Sequence, residues 1–371
     1  MTELGRRTFL AAAAAAAIPW PAVAQRPRRS MIIVNALGGL GDPNVEREAD
    51  RRMLSGRVIA DARASGLTAI NVTMGYVAGD EEPFEQSARE IARWDARRRR
   101  RPADLLQVLT AADILRARRE RKIGLIYGFQ NAAMLGADAG RVEVFADLGV
   151  RVIQLTYNPA NTLGDGSMAP QNRGLTRFGR EVVERLNAAR LMVDLSHSGE
   201  RTCLEAARAS AAPISINHTG CRALVDLPRN KSDEELRLVA SRGGFVGIYF
   251  MPFVDPRSVC TAADVVAHLD HAVNVCGEDH VGIGTDGGTT GVDDMAAYRA
   301  AMRAEVASRR AAGIGARGEN PDTLPFCEEL SGPDQYRRLI GLLEGRRWSA
   351  RRIEKVMGLN FIAFAHEVWG S

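Results

Sequence analysis

Two short apolar runs of this chain each end in an imidazole: Met192-Val-Asp-Leu-Ser-His197 and Ile214-Ser-Ile-Asn-His218. A third run, His280-Val-Gly-Ile-Gly-Thr-Asp286, ends in a carboxylate. The chain has six histidines, so two at matching positions of successive strand and helix units predict a shared site at one end of a sheet. Two neutral imidazole nitrogens and a carboxylate oxygen suit zinc. An open zinc site lowers the pKa of a bound water toward about 7, so metal-assisted hydrolysis is the chemistry that this trio predicts. The other four histidines, His268, His271, His280 and His366, read as structural or exposed.

For the three groups to meet, their runs must be strands of one sheet. Eight short apolar runs recur, at residues 32–37, 69–74, 122–129, 152–156, 192–195, 214–217, 244–249 and 281–284. Several are apolar at every position, and the connections are long enough for crossover helices, so parallel strands covered on both faces are expected. Eight such units close into a (β/α)8 barrel, an α/β TIM-type fold whose post-strand loops gather at the C-terminal face. Helical patterns cover 45–65, 102–119, 176–188, 201–208, 233–241 and 262–275. Ser232-Asp-Glu-Glu235 has the spacing of a capping box, and Gly358 reads as a helix stop. Residues 287–325 break the repeat and predict an insertion at the rim of the site, a lid. Residues 333–369 predict a C-terminal helical extension packed outside the barrel, so that 25–371 form one domain.

The net charge of +4 with 25% charged residues is that of an ordinary globular protein. Its most visible cluster, Arg97 to Arg101, suits the last turn of a helix, where cations oppose the dipole, and no nucleic-acid partner is expected. The five cysteines contain no C-x-x-C pair, which argues against a zinc ribbon and against a dense disulfide framework. Residues 1–24 carry Arg6-Arg7-Thr8-Phe9-Leu10, an alanine run and Ala22-Val-Ala24. They read as a twin-arginine export signal and predict a periplasmic or secreted protein. That apolar stretch is shorter than the roughly 20 residues of a spanning helix, and no later segment predicts a transmembrane span.

Long collinear stretches resemble the membrane (renal-type) dipeptidases: Gly128-Phe-Gln-Asn131, Gln154-Leu-Thr-Tyr-Asn158, Gly164-Asp-Gly166, Gly174-Leu-Thr-Arg-Phe-Gly179, Val193-Asp-Leu-Ser-His197, His218, Arg229-Asn-Lys-Ser-Asp233 and Gly282-Ile-Gly-Thr-Asp286. The resemblance implies a zinc peptidase on a (β/α)8 barrel with a small dipeptide-like substrate, and it leaves a homodimer open. In that family a His-x-Asp after the first strand holds one metal, a glutamate after the third bridges two, and the histidines after the fifth and sixth hold the second. Here Leu37 and Gly39 stand at the His-x-Asp positions, and Gln130 stands at the bridging one. Losing two anionic ligands leaves the repulsion between two divalent cations without its offset. One weakly held zinc on His197, His218 and Asp286, with Gln130 as a weak fourth donor, or no ion, is therefore expected. The resemblance further implies that Asp286 manages the proton and Arg229 grips the substrate's anionic end. It puts Tyr157 at the oxyanion and Asn158 beside the substrate. The alternatives are a periplasmic binding protein and a non-peptide amide or lactone hydrolase.

Overall fold

The computed structural model describes residues 31–45 and 53–370, and the export-signal reading of residues 1–24 lies outside them. Nine strands form one parallel sheet: β1 Val34–Gly38, β2 Ala69–Met74, β3 Leu105–Gln107, β4 Ile123–Phe129, β5 Val150–Gln154, β6 Met192–Asp194, β7 Ser215–Thr219, β8 Phe245–Ile248 and β9 Val281–Ile283. Neighbours run in the order β1-β2-β4-β5-β6-β7-β8-β9, with β3 attached to β4 off this path. Eight strands with intervening helices make the expected TIM-type barrel, and each predicted run supplies one of them.

Two helix expectations need correction: of the pattern over 45–65, only Gly56–Ala64 is helical among the described residues, after an N-cap at Ser55. The pattern over 102–119 predicts continuous helix, yet Leu105–Gln107 is extended beside Ile123–Leu125, and the helix starts only at Ala111. Leu105 and Leu106 bury against the sheet, and a capping box between Thr110 and Asp113 opens the helix after them. By contrast the helix Asp233–Ser241 begins on the capping box of Ser232 and Glu235 as expected.

Between β1 and β9 the barrel closes through individual contacts. Asp286 N–H donates to the Leu37 carbonyl at 2.9 Å, and Gly39 N–H to the Gly287 carbonyl at 3.2 Å. Asn35 and Thr285 exchange two further bonds of 2.8 Å. Asp286 adopts φ +57 at this seam, a left-handed conformation that a non-glycine residue holds only where its surroundings over-determine it.

The lower barrel is apolar. Val34, Ala36, Ala69, Ile126, Val152, Met192 and Phe245 pack with Phe361, Phe364, Val368 and Trp369 of the last helix, Asn360–Trp369. That helix plugs the N-terminal end of the barrel. Gly358 interrupts the preceding helical run where a Cβ would lie 2.6 Å from the Ile32 carbonyl oxygen. The upper interior is polar, with Asn35, Asn71, Gln154 and Asn217 all fully buried. Among the described residues no helix is long and apolar enough to cross a membrane.

Candidate active site

His197 follows β6 and His218 lies in β7, so adjacent parallel strands aim both rings at one place. Their Nε2 atoms are 3.0 Å apart, and both residues are buried. The strand ends are fixed from below by Asp194, which accepts from Ser196 N–H and Asn217 N–H at 3.0 Å each. The Ser196 hydroxyl in turn accepts from His218 N–H at 3.0 Å. Gly284, just after β9, must lack a side chain, since a Cβ there would sit 1.8 Å from the Asn217 carbonyl oxygen and 3.3 Å from the His218 Cβ.

The hydrogen-bond network assigns the tautomers. Asn158 Nδ2 donates to the Ile314 carbonyl at 2.8 Å, and that oxygen can only accept. The Asn158 Oδ1 therefore faces His197 Nδ1, at 2.7 Å, and must accept from it. With its proton on Nδ1, His197 offers a lone pair at Nε2, and His218 donates its Nε2–H to it. The His218 Nδ1 is then a bare acceptor, buried and without a partner among the described residues. Burial pushes both imidazoles well below the usual histidine range. The positive charges of Arg229 and Lys231 add to that shift at both rings, and Arg309 adds to it at His197.

The rings do not face the open cavity. Tyr157 stacks on His197 with ring centroids 4.2 Å apart and planes at 24°, between the imidazole and the space outside. That space is a cavity of about 740 Å³ whose wall includes Asp286, Tyr157, Gln130 and Thr285 from the strand ends. The insertion supplies much of the remaining wall, through Tyr298, Met302 and Arg309 of the helix Met295–Ala311 and through Glu319. A second concavity of about 620 Å³ lies at the opposite end of the sheet, around Leu105, Arg116 and Lys122, away from these groups.

The anticipated site residues thus divide into two layers. Asp286, Tyr157 and Gln130 line the cavity, whereas His197, His218, Arg229 and Asn158 lie behind it. Burial pushes the Asp286 carboxyl up to about 6, although Arg229 and Arg309 pull it the other way. Arg229 donates to the Ser196 carbonyl at 2.6 Å and lies 6.0 Å from the Tyr249 ring centroid. Buried to 2% exposure, it acts on the site through its charge. Asn158 orients His197, as described above.

A zinc centre needs three protein donors at a catalytic site. Among the described residues no group of three His, Cys, Asp or Glu side chains gathers to that end. Leu37 is buried, Gly39 has no side chain to offer, and Gln130 donates its Nε2–H to the Thr73 hydroxyl at 2.8 Å. Asp42 lines the cavity, but its Oδ1 already accepts from Asn44 N–H and Nδ2–H, at 3.0 and 2.8 Å. For both Nε2 atoms to ligate, the His218 proton must move to Nδ1, where no acceptor waits. Metal-bound imidazoles normally donate that second N–H, and a buried unpaired donor costs about 1–3 kcal/mol. The surrounding guanidinium and ammonium groups repel a divalent cation as well. The residues present do not fit a zinc centre.

Two features escaped the sequence reading. Lys231 and Glu235 form a fully buried ion pair at 3.2 Å beneath the site. Arg309 reaches Tyr157 from 152 positions away. Lys231 and Glu235 have the i, i+4 spacing of an ordinary exposed pair, which gives no sign of burial, and no spacing signal marks Arg309. His268 is structural as expected: its Nδ1 accepts from Cys221 N–H at 2.8 Å, and its Nε2 donates to the Val254 carbonyl at 3.1 Å.

Residues 66–313 match the family model described as membrane dipeptidase, peptidase family M19. A solved amidohydrolase from Pseudomonas aeruginosa is 31% identical with a TM-score of 0.78, over 92% of this chain and 98% of that one. A metallo peptidase from Rhodobacter sphaeroides, solved with a phosphinate mimic of the dipeptide L-Ala-D-Ala, shares the fold at a TM-score of 0.74 and 17% identity, over 91% of this chain and 99% of its own. A dipeptidase of Claviceps purpurea (strain 20.1) is 29% identical over 263 residues, which are 70% of this chain and 54% of that protein. The chain thus spans about half the length of that fungal relative. With the family model covering most of the barrel and a close structural match over nearly its whole length, the chain belongs to the membrane dipeptidase family, peptidase family M19.

Proposed function

We propose that this chain is a dipeptidase-like hydrolase that cleaves at the cavity wall around Asp286. The observation that carries the reading is one carboxyl on the wall of a substrate-sized cavity at the end of a barrel strand, where burial pushes it up to about 6. A group of that pKa both accepts and returns a proton close to neutral pH. Family membership and relatives named as dipeptidases support a peptide bond as the target.

In this reading the Asp286 carboxylate takes a proton from a water as the water oxygen bonds to the carbonyl carbon. The C=O π pair moves onto the carbonyl oxygen. The tetrahedral carbon then re-forms its C=O and breaks the C–N bond, while the Asp286 carboxyl gives its proton to the leaving nitrogen. Arg229, behind the wall, favours the ionised carboxylate between cycles. Asn158 and His197 hold the Tyr157 ring in place by hydrogen bonding and stacking.

Metal use is a property implied by the family. In this chain the donor set around His197 and His218 does not fit a zinc centre, and no step of the reaction is assigned to a metal. We also propose periplasmic export, on the strength of Arg6-Arg7 and the alanine run that follows. Incubation of the purified full chain with a dipeptide panel that includes L-Ala-D-Ala, with free amino acids as the readout, tests the activity. Cleavage of at least one member is expected. A panel left intact overturns the proposal.

A further inference from the structure

The insertion does more than roof the cavity, because its helix Met295–Ala311 delivers a guanidinium to the reacting side. Arg309 Nη2 donates to the Tyr157 phenol oxygen at 3.2 Å and to Glu319 Oε1 at 2.8 Å, and its Nε donates to the same carboxylate at 3.2 Å. Glu319 therefore grips one edge of the guanidinium plane. The Nη1 amine keeps no hydrogen-bond partner among the described residues. The Tyr157 oxygen accepts from Arg309, so its own hydrogen is available to donate, and no acceptor for it occurs among those residues either. Both groups line the cavity that contains Asp286, and Arg309 is the one Arg or Lys on that wall among the described residues.

We propose that Arg309 is a catalytic residue, pairing with Tyr157 to hold the negative oxygen that forms when the substrate carbonyl is attacked. This rests on the hydrolase reading above. Donors fixed before the reaction and partly shielded from water favour charge that develops during the reaction over the neutral ground state. Glu319 is a positioning residue that sets the angle of the fork, and the Arg309 charge makes the phenol a stronger donor. An ion pair with Glu319 alone would give the Arg309 variant no effect on the chemical step.

Arg309→Met and Tyr157→Phe, singly and together, test this in the full chain. Tyr157→Phe keeps the ring that stacks on His197, so folding is preserved in at least one arm. With a cleaved dipeptide, each single change should lower kcat about 10²-fold and leave KM nearly unchanged. The double change should fall far short of the product of the two, as for groups acting as a unit. Affinity for a phosphinate dipeptide mimic, whose tetrahedral anion resembles the intermediate, should weaken in the same order by calorimetry, while binding of the product amino acids stays constant. Single variants with unaltered kcat, or phosphinate binding equal to the parent chain's, overturn the proposal. So does a parent chain that binds no phosphinate. A chain that cleaves no dipeptide yet loses phosphinate affinity on Arg309→Met sinks the hydrolase reading and leaves the donor pair standing.

Discussion

Asp286→Asn is expected to lower kcat/KM for dipeptides about 10³-fold and, at the same time, to make the fold harder to unfold at pH 7. The two effects have one cause. Burial raises the folded-state pKa to about 6 from the ordinary value of 3.8, so the folded chain prefers the protonated form more than the unfolded chain does. Between those values the folded state binds the extra proton. Stability is therefore greatest below the unfolded pKa and falls as pH rises through about 6. A shift of about two units corresponds to roughly 3 kcal/mol, and the opening of the carboxyl onto the cavity trims this to nearer ~2. The amide removes that cost along with the proton carrier. Kinetics and urea unfolding at pH 5 and pH 7 check both parts: the parent kcat/KM should climb as the carboxyl ionises through pH 6, and the stability gain of Asp286→Asn should shrink at pH 5. Hydrolysis that survives the substitution removes Asp286 from the chemistry.

Lys231→Met is expected to destabilise the protein by about 3–5 kcal/mol, the usual cost of stranding one buried charge. Lys231 is 1% exposed and Glu235 is fully buried, 3.2 Å apart. The Lys231 ammonium also donates to the Ser198 carbonyl, in the loop just after His197. Glu235 has a second task, since its Oε2 accepts from Ser232 N–H at 2.8 Å to complete the capping box of the helix Asp233–Ser241. Removing the ammonium leaves that buried carboxylate with only the more distant Arg222 guanidinium, 3.8 Å away. Adding Glu235→Gln, which keeps an acceptor for Ser232 without the charge, should recover much of the loss. Denaturant midpoints for the single and double variants measure this, and a single variant within about 1 kcal/mol of the parent would show the pair to be dispensable.

The elements that place the site were readable because their signals are local. The runs ending at His197, His218 and Asp286 are apolar at successive positions, as a parallel strand covered on both sides must be. Ser232 and Glu235 announce a helix start by chemistry confined to one turn. Strand β3 was hidden because three residues, two of them leucines beside an arginine-rich segment, carry too short a period to separate from the helix that follows. Arg309 stands near Arg303 and Arg310 within the 287–325 stretch, which predicts only a lid, and its contact with Tyr157 exists only after the insertion folds back across the barrel. The layering was equally invisible. Sequence places His197, Arg229 and Tyr157 at one mouth, but only packing decides that the phenol ring covers the imidazole and that Arg229 turns toward the Ser196 carbonyl.

The donor set at the strand ends has its sharpest consequence for metal. Dipeptide hydrolysis by the purified chain, followed before and after exhaustive chelation with the zinc content measured alongside, bears on it directly. Two imidazoles bonded to each other, an Nδ1 with no partner among the described residues and a cationic surround predict a rate that chelator leaves unchanged and zinc far below one equivalent per chain. Activity that vanishes with the chelator and returns with one equivalent of zinc would contradict it.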